Sequence, residues 1–535
     1  MNNASPLLTP VGRGFSIFYR GKSLYSGSTP VETAEKRAES AELEEQTLYI
    51  LPSPLLCYGI DKLLARLPES SNIICIEADQ ELMKLTFGQL TDKLKQDPRI
   101  SFVRTEYSHT LLSFISEFPL HRFRRVKSIR LNGGYRIFPE LYRDMEKQLT
   151  KYLGNYWKNR ITTIHMGRLW IKNILLNVPQ LSHTQKYTAM HVRGNILVIG
   201  AGTSLNTVLP IIRQFRSRVF CIAVDTALPA LLSASITPDA VVIVESQSIN
   251  LLDFTGTAGS RYIPILDLTS HPQSFRIDTA MKKQVFFSNF TKINLFSLMQ
   301  EYGLEIPSIP AFGSVGNIAF FLASRISEGR IFFTGLDFAA VPGETHAKSS
   351  LFHVYSLTNC SRYNKYPLYN LGFNSLNKPA SSSGLLKTSP LMEMYADTLE
   401  SLIPQNREVF DLRPWGLKII DNRITEDDFS QLLADSAAYT VEHTAHEIDT
   451  SGAEKLISDL HGEIGKFIDL LNCNLNAGEY SIKGDMKSYL QYFDFIYAHF
   501  PDSQKAETPD RSFLKRLLIS ACYYEKVLKH AKTLF

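Results

Sequence analysis

The chain has 535 residues, 44% of them hydrophobic and 11% aromatic, and its 57 basic and 53 acidic side chains give a formal net charge of +4. This composition excludes an intrinsically disordered chain, and the spread of basic residues along the sequence argues against nucleic acid as a partner. The six cysteines form no CxxC pair, the first residues lack the pattern of a signal peptide, and no apolar run approaches the ~18 residues of a membrane-spanning helix, so we expect a cytoplasmic protein without structural zinc or membrane insertion.

Residues 1–150 predict a small α/β domain. Residues 15–26 have the pattern of two short strands around a turn, and a helix follows. Residues 47–79 predict a strand, a glycine turn, a helix and a second strand, which is a Rossmann-like half. The turn has a single glycine, Gly59, next to a bulky tyrosine, and this favours a structural unit without a ligand. A basic run at 121–127 is either a docking patch or a solvated face.

A helical linker is predicted over 151–190, and strands then alternate with helices over 191–425. These strands are apolar throughout, which is typical of strands buried on both faces, so they predict a Rossmann-like central domain with a mainly parallel sheet. The turn-rich stretch 339–389 has the length and composition of a lid or binding loop. Apolar residues at helical spacing over 426–535 predict an all-helical C-terminal domain.

A glycine turn follows the first strand of the central domain. Gly200 and Gly202 supply the first two glycines of a dinucleotide fingerprint, but Leu205 occupies the third position, where a small residue is needed, so a dinucleotide is not favoured. The turn is still suited to a phosphate or nucleotide, because the glycines let the backbone approach, Thr203 and Ser204 offer hydroxyls, and a helix N-terminus follows. A purely structural turn is the alternative.

Acidic residues end three of the predicted strands, at Asp225, Glu245 and Asp337. In an open parallel sheet the ligand lies outside the carboxyl ends of the strands, and an acid there commonly accepts from ribose hydroxyls. Together the three acids favour a mononucleotide site, although helix capping is an equal alternative for Asp225. Gly313 and Ser314 begin a later helix, where small residues suit either a close ligand or tight packing.

His346 lies in the polar loop GETHAKSS. A loop histidine has a pKa near ~6.5 and is suited to taking a proton from a hydroxyl nucleophile. An inert surface histidine is the alternative interpretation of the same residue.

The order of these motifs resembles the motility accessory factor (Maf) family of flagellin glycosyltransferases, and the resemblance covers most of the chain. It is carried by the segments LYSGSTPVETAEKRAE, GRLWIKNILLNVPQL, VIGAGTSL, IAVDTALPALLSASITPDAVVIVE, GSVGNIAFFLA, IFFTGLDFA, ETHA and LLKTSPLMEMYADTLESLI. The central domain of that family is in turn similar to metal-independent bacterial sialyltransferases, which transfer a nonulosonic acid from its CMP-activated form with inversion.

The resemblance implies roles for individual residues. By that similarity His346 would be the general base, and Ser314 would contact the donor. The remaining implied residues surround the CMP moiety: Gly200, Gly202, Ser204, Asp225 and Glu245. Thr203 and Gly313 complete the predicted nucleotide-binding set, and Asp337 joins His346 among the catalytic candidates.

Several residues depart from the sialyltransferase pattern. Asp225 and Glu245 stand where those enzymes carry asparagines, and Glu245 also replaces the aspartate expected in Maf proteins. Ala339 stands where the sialyltransferases place a phosphate-binding tyrosine, so another group must stabilise the departing CMP phosphate. Hydroxyl and cationic side chains of the predicted lid are candidates by chemistry alone: Tyr355, Tyr363, Tyr366 and Arg362.

The sequence therefore leads to the hypothesis of a metal-independent transferase without a cofactor. It would move a pseudaminic or legionaminic type of nonulosonic acid from a CMP-sugar to Ser or Thr hydroxyls of flagellin, presented alone or with its export chaperone, and so serve flagellum assembly and motility. One alternative is an ATP- and magnesium-dependent enzyme like 6-hydroxymethylpterin diphosphokinase, with Asp225, Glu245 and Asp337 on the metal. The other is a non-catalytic factor that binds flagellin.

Overall fold

The fold is described from a computed structural model that covers residues 5–290, 292–341, 343–363, 378–379, 386–434, 436–444, 447–476 and 485–535. The chain divides into two compact units, Met1–Thr162 and Thr163–Phe535. Within the described residues, no helix is both long enough and apolar enough to cross a membrane.

The first unit combines a ribbon, a parallel sheet and covering helices. Its strands are β1 Leu7–Val11, β2 Gly14–Tyr19, β3 Lys22–Ser23, β4 Thr47–Pro52, β5 Asn72–Glu77, β6 Ile100–Arg104 and β7 Arg125–Ser128. Its helices are α1 Pro30–Ser40, α2 Ile60–Arg66, α3 Gln80–Gly88, α4 Asp92–Gln96, α5 Ser108–Ile115 and the first part of α6 Pro139–Asn177. Strands β1 to β3 form an antiparallel ribbon, and the four parallel strands have the order β6-β5-β4-β7.

This strand order is that of a Rossmann half, as the sequence predicts. The single glycine of its first turn, Gly59, has a φ of 82°, and a Cβ there would lie 2.7 Å from the carbonyl oxygen of Ala34. The glycine therefore serves close packing of the turn against α1 within the unit.

The second unit contains a nine-stranded sheet. The remaining strands of the chain are β8 Thr184–Lys186, β9 Met190–Arg193, β10 Asn195–Ile199, β11 Val219–Val224, β12 Ala240–Ile243, β13 Ile263–Asp267, β14 Lys283–Asn289, β15 Ser308–Pro310, β16 Ile331–Thr334, β17 Lys378–Pro379, β18 Lys387–Thr388, β19 Val409–Asp411 and β20 Thr440–His443. The sheet runs β15-β14-β13-β12-β11-β10-β16-β19, with β8 also paired to β14, and its pairs are parallel. The predicted parallel sheet is confirmed.

Helices cover both faces of this sheet. The remaining helices of the chain are α7 Leu205–Gln214, α8 Leu228–Ser233, α9 Asn294–Glu301, α10 Val315–Ile326, α11 Leu351–Thr358, α12 Pro390–Leu402, α13 Glu426–Ala434, α14 Ala453–Asn476, α15 Met486–Tyr492, α16 Asp494–Tyr497 and α17 Arg511–Lys532. Strands β10 to β13 are buried at every position, which explains their uninterrupted apolar sequences.

Two apolar cores follow from this layering. One lies between the sheet and helices that include α7, α10 and α12. In the other, side chains of β12 to β14 pack with residues of α6, α14 and α17. The predicted C-terminal helices are confirmed, and they share a core with the sheet in one compact unit. The predicted domain boundaries at 190 and 425 stay predictions.

Candidate active site

A cleft of about 290 Å³ opens at the carboxyl edge of the nine-stranded sheet, beside β10 and β16. The chain proceeds from β10 to β11 on one side and later places β16 on the other side, so the cleft lies at a topological switch point, where open α/β sheets bind ligands. Its lining comes from the turn after β10, the start of α10, the end of β16, the 345–346 loop, β18 and α12.

The glycine turn after β10 packs against the end of β16. The N–H of Gly200 donates to the carbonyl of Thr334 at 2.8 Å, and the N–H of Gly202 donates to that of Gly335 at 2.7 Å. A Cβ on Gly200 would overlap the Gly335 carbonyl, and a Cβ on Gly202 would overlap the carboxylate of Asp337. Both glycines line the cleft, but the close approach that they permit is to the chain's own strand.

Asp337 occupies the N-terminus of α7. Its carboxylate accepts from the Ser204 N–H at 2.9 Å, from the Thr203 hydroxyl at 3.4 Å and from the Ser204 hydroxyl. All three residues are buried, and burial raises the pKa of Asp337, while the bonds from Ser204 oppose that shift. The donors that the sequence predicts for a nucleotide phosphate thus have an internal acceptor, so a nucleotide role for Thr203 and Ser204 stays a prediction without geometric support.

Arg413, which is not a candidate from the sequence, holds the loop bearing Asp337. Its fully buried guanidinium donates from Nε and Nη2 to the two carboxylate oxygens of Asp411, each at 2.7 Å, and from Nη1 to the carbonyl of Leu336. A buried charge is stable only with such pairing. The signal in the sequence is the DLR motif, whose aspartate is the last residue of β19.

An open helix N-terminus faces the cleft at α10. Ser314, Val315 and Gly316 line the cleft, and Ser314 makes no side-chain capping bond. The N–H groups of Val315 and Gly316 have no hydrogen-bond partner in the described part of the chain. Such groups bind anions. Gly316 is required for packing, since a Cβ there would overlap Leu336, and Gly313, with a φ of 72°, lies outside the lining.

Three carboxyl groups cluster beside the cleft. Asp225 is fully buried. Its Oδ1 accepts a hydrogen bond of 2.8 Å from the backbone N–H of Thr226, which lines the cleft, and its Oδ2 has no hydrogen-bond partner among the described residues. Burial and the neighbouring charges of Glu245 and Asp253 raise the pKa of Asp225 to about 8. Burial and Glu245 raise the pKa of Asp253 to about 6, and burial raises that of Glu245. Asp225 and Glu245 were selected from the sequence; Asp253 follows no strand and was missed.

His346 lines the same cleft as the open helix N-terminus. Its Nδ1 lies 2.9 Å from the hydroxyl oxygen of Thr345, and its ring packs on Phe352 with centroids 5.1 Å apart. The next residue, Ala347, donates its N–H to the carbonyl of Ala201 at 2.8 Å, which fixes the loop to the glycine turn. Burial, with a contribution from the charge of His353, lowers the pKa of His346 to about 4. The imidazole is therefore neutral, as a base must be, at physiological pH.

The remaining candidates lie apart from the cleft. Tyr355 and Tyr363 are 52% and 96% exposed and do not line it, and Arg362 is also exposed outside the lining. Tyr366 lies outside the described residues. Two further lining residues are not among the sequence-based candidates: Lys387, within the predicted lid 339–389, and Tyr395 of α12.

The positions of the acidic residues limit where a metal ion could be ligated. Asp337 bonds the start of α7, whereas Asp225 and Glu245 belong to the carboxyl cluster. Across the ranges that the structure describes, no group of three or more His, Cys, Asp or Glu side chains is placed to hold a metal ion.

Residues 172–343 match the family described as 6-hydroxymethylpterin diphosphokinase MptE-like. A Treponema pallidum (strain Nichols) protein described as uncharacterized is 26% identical over 551 residues, which cover 98% of this chain and 95% of that protein. A second uncharacterized protein of the same organism is 28% identical over 109 residues, or 19% of this chain and 52% of its own length.

Among solved structures, the chain is similar to a MAf glycosyltransferase from Magnetospirillum magneticum AMB-1. The TM-score is 0.54 at 13% sequence identity, and the match covers 100% of this chain and 93% of the other. The resemblance to Maf proteins is confirmed by this shared fold and by the MptE-like central domain. At this identity the similarity establishes the architecture, and activity has to be argued from the site.

Proposed function

We propose that the protein is a glycosyltransferase that moves a nonulosonic acid from a CMP-sugar to Ser or Thr hydroxyls of flagellin. The observation that carries the proposal is the pairing, in one cleft at the switch point of the sheet, of a neutral imidazole at His346 with the open N-terminus of α10. One group can accept the acceptor's proton, and the other can receive a phosphate.

In this proposal each part of the donor has its own place in the cleft. The phosphate lies at the N–H groups of Val315 and Gly316, and the nucleoside lies toward Thr226 and the carboxyl cluster. In the tautomer that this role requires, Nδ1–H of His346 donates to the hydroxyl oxygen of Thr345, 2.9 Å away, so that Nε2 is unprotonated and takes the acceptor hydroxyl's proton. Positioned base catalysis of this kind contributes ~10²–10⁴-fold to the rate.

The carboxyl cluster is compatible with nucleoside recognition although acids replace the asparagines of the sialyltransferases. A carboxyl group with a pKa of about 8, as at Asp225, is protonated at neutral pH and offers one O–H donor and one carbonyl acceptor. An asparagine amide offers the same pair of functions. The raised pKa therefore supports a conserved hydrogen-bonding pattern despite the change of residue type.

The experiment is the intact mass of flagellin from cells that produce CMP-nonulosonic acids. It compares the natural chain, His346→Ala, His443→Ala and no protein; His443 is an exposed histidine of β20 outside the cleft lining. Mass added in nonulosonic-acid increments with the natural chain and His443→Ala, and lost with His346→Ala, supports the proposal. Unchanged mass in all four samples contradicts it and favours a non-catalytic flagellin-binding factor.

A second candidate function rests on the MptE-like match of residues 172–343. The carbonyl oxygen of the protonated Asp225 carboxyl group can also accept from the N–H donors of a pterin edge, and Glu245 lies close enough to contribute to the raised pKa of Asp225. This candidate predicts magnesium-dependent ATP consumption with 6-hydroxymethylpterin and no effect of the protein on flagellin mass.

A further inference from the structure

The departing nucleotide needs a positive charge, and neither the N-terminus of α10 nor the neutral His346 supplies a full one. This inference rests on the proposed function. In that reaction the phosphate changes from the monoanion of a diester to the dianion of CMP. Ala339 lacks any polar group at the end of the cleft where the sialyltransferases place a tyrosine, and the α10 N-terminus contributes only partial charges.

Lys387 is held beside Ala339 by the backbone. Strand β18 pairs with Ala340, whose N–H donates to the Lys387 carbonyl at 2.8 Å and whose carbonyl accepts from the Lys387 N–H at 2.9 Å. The next residue, Thr388, donates its hydroxyl to the carbonyl of Phe338 at 2.9 Å. These bonds on both sides of Ala339 fix the backbone of Lys387, which is one of the residues that line the cleft.

The charge of Lys387 is not neutralised by the protein. Its ammonium group has no ion pair or side-chain hydrogen bond within the described ranges. The carboxylate that lines the same cleft, Asp337, is buried and already accepts from Ser204 and Thr203. His346, the other basic side chain of the lining, is neutral at physiological pH because its pKa is about 4. Among the described residues that line the cleft, Lys387 is the one lysine or arginine.

We propose that Nζ of Lys387 binds the nucleotide phosphate together with the N-terminus of α10, which lines the same cleft. As the acceptor oxygen forms its bond to the anomeric carbon, the bond from that carbon to the phosphate oxygen breaks and its electron pair stays on the phosphate. The acceptor proton goes to Nε2 of His346. Lys387 stabilises the second negative charge that the phosphate gains in this step.

The test is calorimetric binding of CMP and of cytidine to the natural chain and to Lys387→Met, Lys387→Arg and Lys348→Met. Lys348 is an exposed lysine outside the lining and serves as the matched control. Because a hydrogen bond to a charged group is involved, CMP should bind roughly 10- to 100-fold more weakly to Lys387→Met. Cytidine affinity should stay within about twofold, Lys387→Arg should restore most of the CMP affinity, and Lys348→Met should change neither ligand.

The outcomes separate this inference from the proposed function. If the natural chain binds CMP and Lys387→Met binds it equally well, the assignment of Lys387 is wrong and the transferase proposal is untouched. If CMP and cytidine affinities fall together, Lys387 does not contact the phosphate, and the assignment is again wrong. If the natural chain binds no CMP, the proposed function fails and the inference fails with it.

Discussion

At the scale of single residues, the surroundings of His346 determine the pKa of its imidazole. The sequence placed it in a polar loop, where an ordinary pKa near ~6.5 is expected. The structure packs the imidazole on Phe352, next to His353, and partly buries it. This burial lowers the pKa of His346 below the value on which the sequence-based interpretation as a base depends, and no local sequence pattern encodes it.

We expect the acidic limb of the kcat/KM profile to lie near pH 4, because the base works only when deprotonated and the pKa of His346 is about 4. Phe352→Ala should open the ring to solvent and move this limb upward, toward pH 6.5. Rates of donor consumption across the pH range measure both. A limb near pH 6.5 in the natural chain would contradict the buried-base assignment.

The raised pKa of Asp225 predicts how the stability of the fold depends on pH. Its folded pKa of about 8 lies above the unfolded value near ~3.9, so the folded state keeps a proton that the unfolded state releases between those limits. Stability from this residue is complete below about pH 4 and is lost as the pH rises toward 8, by at most ~1.4 kcal/mol per pH unit.

Asp225→Asn removes this titration. The melting temperature of the variant, relative to that of the natural chain, should therefore rise steadily from about pH 5 to about pH 8. Asp427→Asn, on an exposed part of α13, is the control and should show no such trend. A constant difference between Asp225→Asn and the natural chain at every pH would show that Asp225 is charged in the folded state.

The glycine turn shows the limit of residue-level reasoning. The pattern correctly predicted a strand, a turn and a helix, while its argument against a dinucleotide, based on Leu205, stays a prediction. The acceptor at the helix N-terminus, Asp337, comes from a strand more than a hundred positions later. Only the parallel pairing of β10 with β16 brings the two together.

At the scale of elements, the strands of the central sheet were the most predictable part, since they are short, apolar and buried on both faces. The C-terminal helices were equally visible from apolar spacing. Their partner was not, because amphipathicity shows that a helix has a buried face and does not show what covers it. In the structure, Phe467 of α14 and Leu517 of α17 belong to the same core as Ile243 of β12.

This shared core changes what a truncation can report. Deleting 426–535 exposes one face of the sheet, so we expect an insoluble chain instead of a stable fragment that still binds CMP. Phe467→Ala is the sharper variant: the side chain is fully buried, and its loss should cost ~3–5 kcal/mol of unfolding free energy.

Denaturant unfolding measures that cost, with Glu454→Ala on the exposed part of the same helix as control. CMP affinity of the folded Phe467→Ala chain should stay within about twofold of the natural value, because the residue stacks on Tyr489 and Phe493 within that core and does not line the cleft. A soluble, folded truncation at 425 would contradict the shared core.

At the scale of the whole molecule, the chain consists of two compact units, and every residue that lines the cleft lies between 200 and 395 in the second. The Rossmann half of the first unit has its own sheet and its own cores. Nucleotide binding is therefore expected to depend on the second unit alone, whatever the first unit contributes to recognition of the acceptor.

The fragment 139–535 tests this division, because it starts with α6 and so keeps the whole helix that joins the two units. We expect it to bind CMP within about threefold of the full chain, since no lining residue is removed. Calorimetry measures the affinity, and circular dichroism establishes that the fragment is folded. If a folded fragment lost CMP binding while the full chain kept it, the nucleotide site would require the first unit, and the cleft described here would be an incomplete site.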